Sequence, residues 1–283
     1  MKVIDKYLTE VRDAHEGILS LTLPANGGKW EDTEYFEIMD MMVSSGMDQM
    51  LTILTNPNAF KNNELATTEV VACRQGIERG ADSDLMFTHT LAKIRQRYPK
   101  LTLIASGNIP CAIAYGIDRY FQKCVENGIE AIDLPVYPCI PDPFSFTARM
   151  HQNGLYNVCS LHADSIDLKN PEHVKVFDEL IHIGKGEIFL VPAIPMTAGG
   201  FDGEFFKPYV DHIREVQAAD NNSGCKIIAI GGIQTAEDAY QLVRVSGVDG
   251  VHFSTRFLKP LLAGESLESI SAWLKTIKDA MRG

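Results

Sequence analysis

A closed ring of eight parallel strands, each followed by a helix, is the fold this sequence predicts. Three observations carry it. Eight short apolar runs recur along the chain, each followed by polar, glycine or proline residues. Amphipathic stretches with apolar residues three and four apart lie between them. Eight strand–helix units spread over about 250 residues match the arithmetic of a (β/α)8 TIM barrel.

The runs are ILSLTL (18–23), MLTIL (50–54), LTLIA (101–105), AIDLPV (131–136), NVCSL (157–161), EIFLV (187–191), KIIAI (226–230) and GVHFS (250–254). They are apolar almost continuously, as parallel strands covered on both faces should be. KVIDKYLTEVRDA, ahead of the first run, is predicted as an extra N-terminal helix closing the barrel floor. In AIAYGIDRYFQKCVENG, Ile113, Ile117, Tyr120, Phe121 and Cys124 form a helical stripe, and Gly128 supplies the stop. TAEDAYQLVRVSG opens on Thr235 with Asp238 three residues on, a variant of the capping box, and Ala239, Leu242 and Val243 make its buried face. An open doubly wound sheet would show GxGxxG after its first strand, whereas that strand is followed here by PANGGKWED. No linker, charge block or low-complexity tract divides the chain, so residues 1–283 read as a single barrel domain.

Composition narrows the partners. With 283 residues, 45% apolar and 22% charged, the chain can build a full core. A net charge of -11 argues against nucleic-acid or anionic-membrane binding, both of which need basic surface. No apolar run reaches the roughly 18 residues that span a bilayer, and the charged N-terminus is no targeting signal, so a cytoplasmic location is expected. Six cysteines without CxxC spacing read as small buried hydrophobes, and no metal or cofactor is expected.

Barrels of this kind place their chemistry at the C-terminal ends of the strands. Three late segments there have the make-up of a phosphate cradle: PMTAGGFDG with Thr197, Gly199 and Gly200, IGGIQTAED with Gly231 and Gly232, and HFSTRF with Ser254 and Thr255. Glycines let backbone N–H groups approach an anion, and a helix starting near Ser254 would aim its positive end at it. Asp133 is the most suggestive ionisable group, since an acid inside an apolar strand must be paired or functional. It reads either as an acid-base residue or as a structural acid hydrogen-bonded across the barrel. His162 and Asp164 read either as a metal or acid-base pair or as part of a solvated loop.

The segments GIDRYFQKCVENGIEAIDLPV and IGGIQTAEDAYQLVRVSGVDGVHFSTRFLK resemble the alpha chain of tryptophan synthase. EGILSLTLPANG, GIERGADSDLMFTHTLAKIRQRYPKLTLIASGN and the GG-containing loop after the sixth strand agree in order, so the resemblance covers most of the chain. It implies a (β/α)8 barrel that cleaves indole-3-glycerol phosphate to indole and glyceraldehyde 3-phosphate, passing indole to a beta-chain partner. By that resemblance Asp133 and Asn108 are site residues, and Gly232 and the Ser254–Thr255 pair hold phosphate. The family's acids after the second strand do not carry over: its general acid-base Glu falls on Leu51 and its later Asp on Asn62. Glu64 is the nearby acid that could substitute.

The sequence therefore predicts a tryptophan synthase alpha-like lyase or aldolase acting on a small phosphorylated substrate, with Asp133 and Glu64 as catalytic candidates. Asn108, Thr197, Gly199, Gly200, Gly231, Gly232, Ser254 and Thr255 are the candidates for substrate binding. The alternative is a non-catalytic paralogue that keeps the phosphate grip without the acids. A beta chain or a second copy of the chain is the macromolecular partner to consider.

Overall fold

The computed structural model describes residues 2–53, 68–106, 109–133, 145–163, 166–183, 187–191, 201–222 and 224–283. Eight strands form a closed parallel ring: β1 (Ile18–Thr22), β2 (Gln49–Ile53), β3 (Thr102–Ser106), β4 (Ile129–Asp133), β5 (Tyr156–His162), β6 (Glu187–Val191), β7 (Lys226–Ile230) and β8 (Gly250–Phe253). Each pairs with its neighbours in sequence, and β8 closes on β1 with Ser20 opposite His252. Every predicted run overlaps a strand; Leu54 and residues 134–136, at the ends of two of the runs, lie outside the described residues.

Side chains alternate between the two faces of each strand. Outward-facing residues such as Leu19, Leu21, Leu103 and Val251 join the helical layer in one large core. Inward-facing Ile18, Leu51, Ile104, Ala131, Val158 and Ile228 form a separate cluster with Ile4, Leu8 and Val11. Those last three belong to the helix Val3–Asp13, which plugs the floor as predicted. The Glu130 carboxylate receives the plug's first turn, accepting from Val3 N at 2.6 Å and Ile4 N at 2.7 Å. A carboxylate there satisfies otherwise orphaned donors and complements the helix dipole.

The predicted helix over 112–128 is two helices, Ile109–Tyr115 and Ile117–Glu126. Gly116 separates them at φ +90°, a conformation that interrupts a right-handed helix and that glycine adopts without strain. The Thr235 cap is as read: its hydroxyl accepts from Asp238 N at 3.1 Å, and the Asp238 carboxylate accepts from Thr235 N at 2.8 Å. Cys73, Cys124, Cys159 and Cys225 are free and buried, matching their reading as small hydrophobes. Among the described residues, no helix is long and apolar enough to cross a membrane.

One buried ion pair ties the chain's end to its start. Lys278 Nζ, on the helix Leu267–Met281, donates to Asp48 Oδ2 at 2.6 Å and to the Gly17 carbonyl at 2.7 Å. Asp48 also accepts from Leu19 N and from Tyr7 Oη on the plug helix. Both charged side chains are 5% exposed. Removing one partner strands the other charge in the interior, so Lys278→Ala should cost about 3–5 kcal/mol of unfolding free energy. Urea unfolding of the two proteins measures this, and a loss below about 1 kcal/mol would show that the pair is dispensable.

Candidate functional site

At the C-terminal mouth of the ring lies a cavity of about 1190 Å³. Asp133 reaches it from β4 and Ser160 from β5, Ile230 to Thr235 line it from the β7 exit, and His252 to Arg256 from the end of β8. Glu69 and Lys259 complete its rim from two helices. Five sequence-predicted residues thus share one site: Asp133, Gly231, Gly232, Ser254 and Thr255. Glu64, Asn108, Thr197, Gly199 and Gly200 lie outside the described residues, as do Asn62 and Asp164.

Strand alternation explains how Asp133 comes to face the cavity. Ala131 points inward among the floor residues, and Asp133, two positions on, points the same way at the strand's end. Burial pushes its carboxyl up to about 7, so at neutral pH it exists in both protonation states. A group poised near the working pH can both accept and release a proton, which general acid-base chemistry requires.

His252 lies one inward step below Ser254 on β8, and its ring is 2% exposed. Ser20 Oγ stands 2.8 Å from Nδ1 and Thr22 Oγ1 2.8 Å from Nε2, so β1 holds both ring nitrogens. Gln49 Nε2 donates to Ser20 Oγ at 3.1 Å. Burial pushes the imidazole down to about 3, so the ring is neutral at physiological pH. Among the described residues, this layer beneath Ser254 is built from neutral polar side chains.

The glycine and hydroxyl elements read as a cradle in the sequence line the cavity from β7 and β8. Gly231 and Gly232 adopt φ +99° and +69°, successive left-handed positions that a side chain would strain. The helix Thr255–Ala263 begins at the cavity wall with Ser254 as its N-cap residue. Lys259 and Arg256 add positive charge, and the Arg256 guanidinium lies 5.0 Å from the centre of the Trp273 ring. Among the described residues no group of three or more His, Cys, Asp or Glu is placed to hold a metal.

The helix Thr68–Glu78 packs at the top of the ring beside β1 and β2. Gly28 N donates to the Ala72 carbonyl at 2.6 Å, and Arg79 reaches the Gly28 and Asn26 carbonyls. A Cβ on Gly76 would lie 2.1 Å from the Asn26 carbonyl oxygen, so only glycine allows this approach. From the first turn of the helix, Glu69 accepts a hydrogen bond from Ser254 Oγ.

No protein-family model matches the chain. It is 22% identical over 252 residues to the tryptophan synthase alpha chain of Edwardsiella ictaluri, covering 87% of each chain. To the alpha chain of Caldicellulosiruptor saccharolyticus it is 24% identical over 167 residues, 59% of this chain and 58% of that one. The structure of tryptophan synthase subunit alpha from Legionella pneumophila superposes with a TM-score of 0.74 at 18% identity, covering 99% of this chain and 98% of that one. The chain is a divergent, tryptophan synthase alpha-like protein.

Within that alpha-like barrel, the second strand is the point of departure. Leu51, on which the family's acid falls, does face inward, but it is packed among the floor residues at 6% exposure. The pairings run Ile53 to Ser106 and Ser106 to Asp133, so the β2 residue level with Asp133 is Ile53. Ile53 packs against Val70 and Cys73 of the helix Thr68–Glu78. None of the inward positions on β2, Gln49, Leu51 and Ile53, carries an acid.

Glu69, His252, Arg256 and Lys259 were not singled out in the sequence. His252 had a signal available: with Ser254 facing the mouth, the residue two before it must face inward too. Arg256 and Lys259 lie in the first turns of the helix expected at Ser254. Glu69 had none, because its approach to Ser254 depends on how a helix 185 positions earlier packs.

Asp133 gives the site a pH signature. Its folded-state value near 7 lies above the roughly 3.9 of an unfolded aspartate, so between those pH values the folded chain binds more protons than the unfolded one. Its contribution is fully present below about pH 4 and is lost as pH rises through about 7. Between pH 5 and 7, Asp133→Asn should therefore gain on the wild type by up to about 1.4 kcal/mol per pH unit. Parallel urea titrations at pH 5, 6 and 7 measure the difference, and identical slopes would mean that the carboxyl titrates normally.

Proposed function

We propose that this alpha-like barrel is a carbon–carbon lyase of aldolase type acting on a small phosphorylated substrate, indole-3-glycerol phosphate or a close relative. One observation carries the reading. A single cavity at the strand ends brings together an acid poised near neutrality and the glycine and hydroxyl elements suited to an anion. Gly231, Gly232, Ser254 and Thr255 would hold the phosphate through backbone N–H groups and hydroxyls. With that end fixed, the carbon skeleton would extend past Ile230 toward Asp133.

A retro-aldol cleavage needs a base to take the proton from the hydroxyl beside the breaking bond, and an acid to protonate the departing carbon. Asp133 is the residue we assign to this proton traffic. The neutral imidazole of His252 keeps a competing charge out of the floor. Partial burial of the carboxyl strengthens its interaction with a bound ligand. In this reading the resemblance to tryptophan synthase alpha chains supplies the substrate class, and a beta chain is the partner to which a cleaved indole would pass.

The second reading, a ligand-binding paralogue without turnover, is favoured by β2. Leu51 and Ile53 give that strand no acid on its inner face, so Asp133 would act alone among the described strand ends.

Soaking crystals with glycerol phosphate should place the phosphate between Gly232 and Ser254; an anion seated elsewhere refutes the cradle. Released indole, assayed with and without a beta chain, separates the two readings. Under the lyase reading Asp133→Asn should lower kcat by about 100-fold or more while ligand-induced thermal stabilisation survives. Stabilisation by ligand with no product from the wild type selects the paralogue.

A further inference from the structure

The anion corner of the cavity already holds a carboxylate, and it belongs to the chain itself. Glu69 Oε1 accepts the hydroxyl of Ser254, and Thr255 Oγ1 stands 3.5 Å from the same oxygen. Ser254 is the N-cap residue of Thr255–Ala263, yet its side chain makes no capping bond to that helix, and no acid lies in the helix's own first turn. A helix N-terminus favours negative charge, and here Glu69 supplies it from another element.

The setting is a ligand cavity rather than a packed interface. Glu69 shares its rim with Gly231, Gly232, Arg256 and Lys259 around a space of about 1190 Å³, far more than one side chain fills. The helix that carries Glu69 is fixed by the Gly28–Ala72 bond and by the close approach at Gly76. The Glu69 side chain itself is only half-buried, so its carboxylate can leave Ser254 by rotating about its own bonds while the helix stays in place.

We infer that Glu69 is a built-in competitor for the anion site: a ligand's anionic group binds by displacing the Glu69 carboxylate from Ser254 and Thr255, and Glu69 thereby sets the affinity of the site. This rests on the phosphate reading above. Two anions cannot share the same two hydroxyls, because like charges a few ångströms apart repel strongly in a partly dry cavity. The carboxylate keeps the donors satisfied and the corner neutralised when no ligand is bound. The same contact weakens every anion that must replace it, and a ligand with further contacts along the cavity is the one best able to do so.

The test is calorimetric titration of the full chain with inorganic sulfate and with glycerol 3-phosphate. The proteins compared are the wild type, Glu69→Gln, Glu69→Ala and Ser254→Ala, each checked by its thermal melt. Removing the competing charge should tighten both ligands by about tenfold in Glu69→Gln and in Glu69→Ala alike. Ser254→Ala should weaken them. Equal affinity in wild type and both Glu69 variants, with binding still lost in Ser254→Ala, overturns the competitor while leaving the anion site intact. Tightening in Glu69→Gln alone also overturns it, because the new amide would then be donating to the anion. Binding that ignores Ser254→Ala, or its absence from all four proteins, defeats the anion site and the competitor together.

Discussion

Closing eight parallel strands into a ring is the constraint on which everything else here depends. The ring has no edge, and it sends every second side chain of each strand into an interior of fixed width. What fills that interior from bottom to top decides what the molecule can do. At the bottom, inward aliphatic residues meet Ile4, Leu8 and Val11 of the plug helix, and the barrel is sealed. Halfway up, Ser20, Thr22, Gln49 and His252 form a hydrogen-bonded polar patch. At the top, Asp133, Ser160 and the β7 and β8 exits open onto the cavity.

The polar patch is held by hydrogen bonds between neutral groups, Ser20, Thr22, Gln49 and His252. An imidazolium in the centre of a barrel would be costly to desolvate. Hydroxyls on both ring nitrogens satisfy the neutral form instead, and burial holds the ring in that form. Asp133 sits one layer higher, where burial again disfavours charge but the cavity gives it access to a ligand. The same force that silences His252 poises Asp133, and their different depths separate a structural role from a chemical one.

Much of this could be read from residues alone. Eight apolar runs fixed the strands, and TAEDAYQLVRVSG announced its own cap at Thr235 and Asp238. The plug helix followed from an amphipathic segment ahead of the first strand. Of the site, the members at strand ends were legible: Asp133, the glycine pair and Ser254–Thr255 all follow from the rule that chemistry gathers at the C-terminal mouth. Local signals failed where geometry is non-local. The break at Gly116 lay hidden in a run whose apolar spacing is helical on both sides. Glu69 meets Ser254 through the seating of its helix, which Gly76 lets approach the Asn26 carbonyl.

The second strand shows how far divergence can reach inside a conserved architecture. A family pattern slid along the sequence puts its acid on Leu51, but the ring's own pairings put Ile53 level with Asp133. The two answers differ by one inward step and agree that β2 offers no proton. Ile53 is not an idle replacement, because it supports the helix Thr68–Glu78 through Val70 and Cys73. An acid at that position would meet the apolar Val70 and Cys73 of the helix and would be costly to cover there. The apolar residue at the end of β2 and the seating of that helix therefore go together. The helix covers the strand end with apolar contacts and returns a carboxylate, Glu69, to the rim beside Ser254, on the anion side of the cavity.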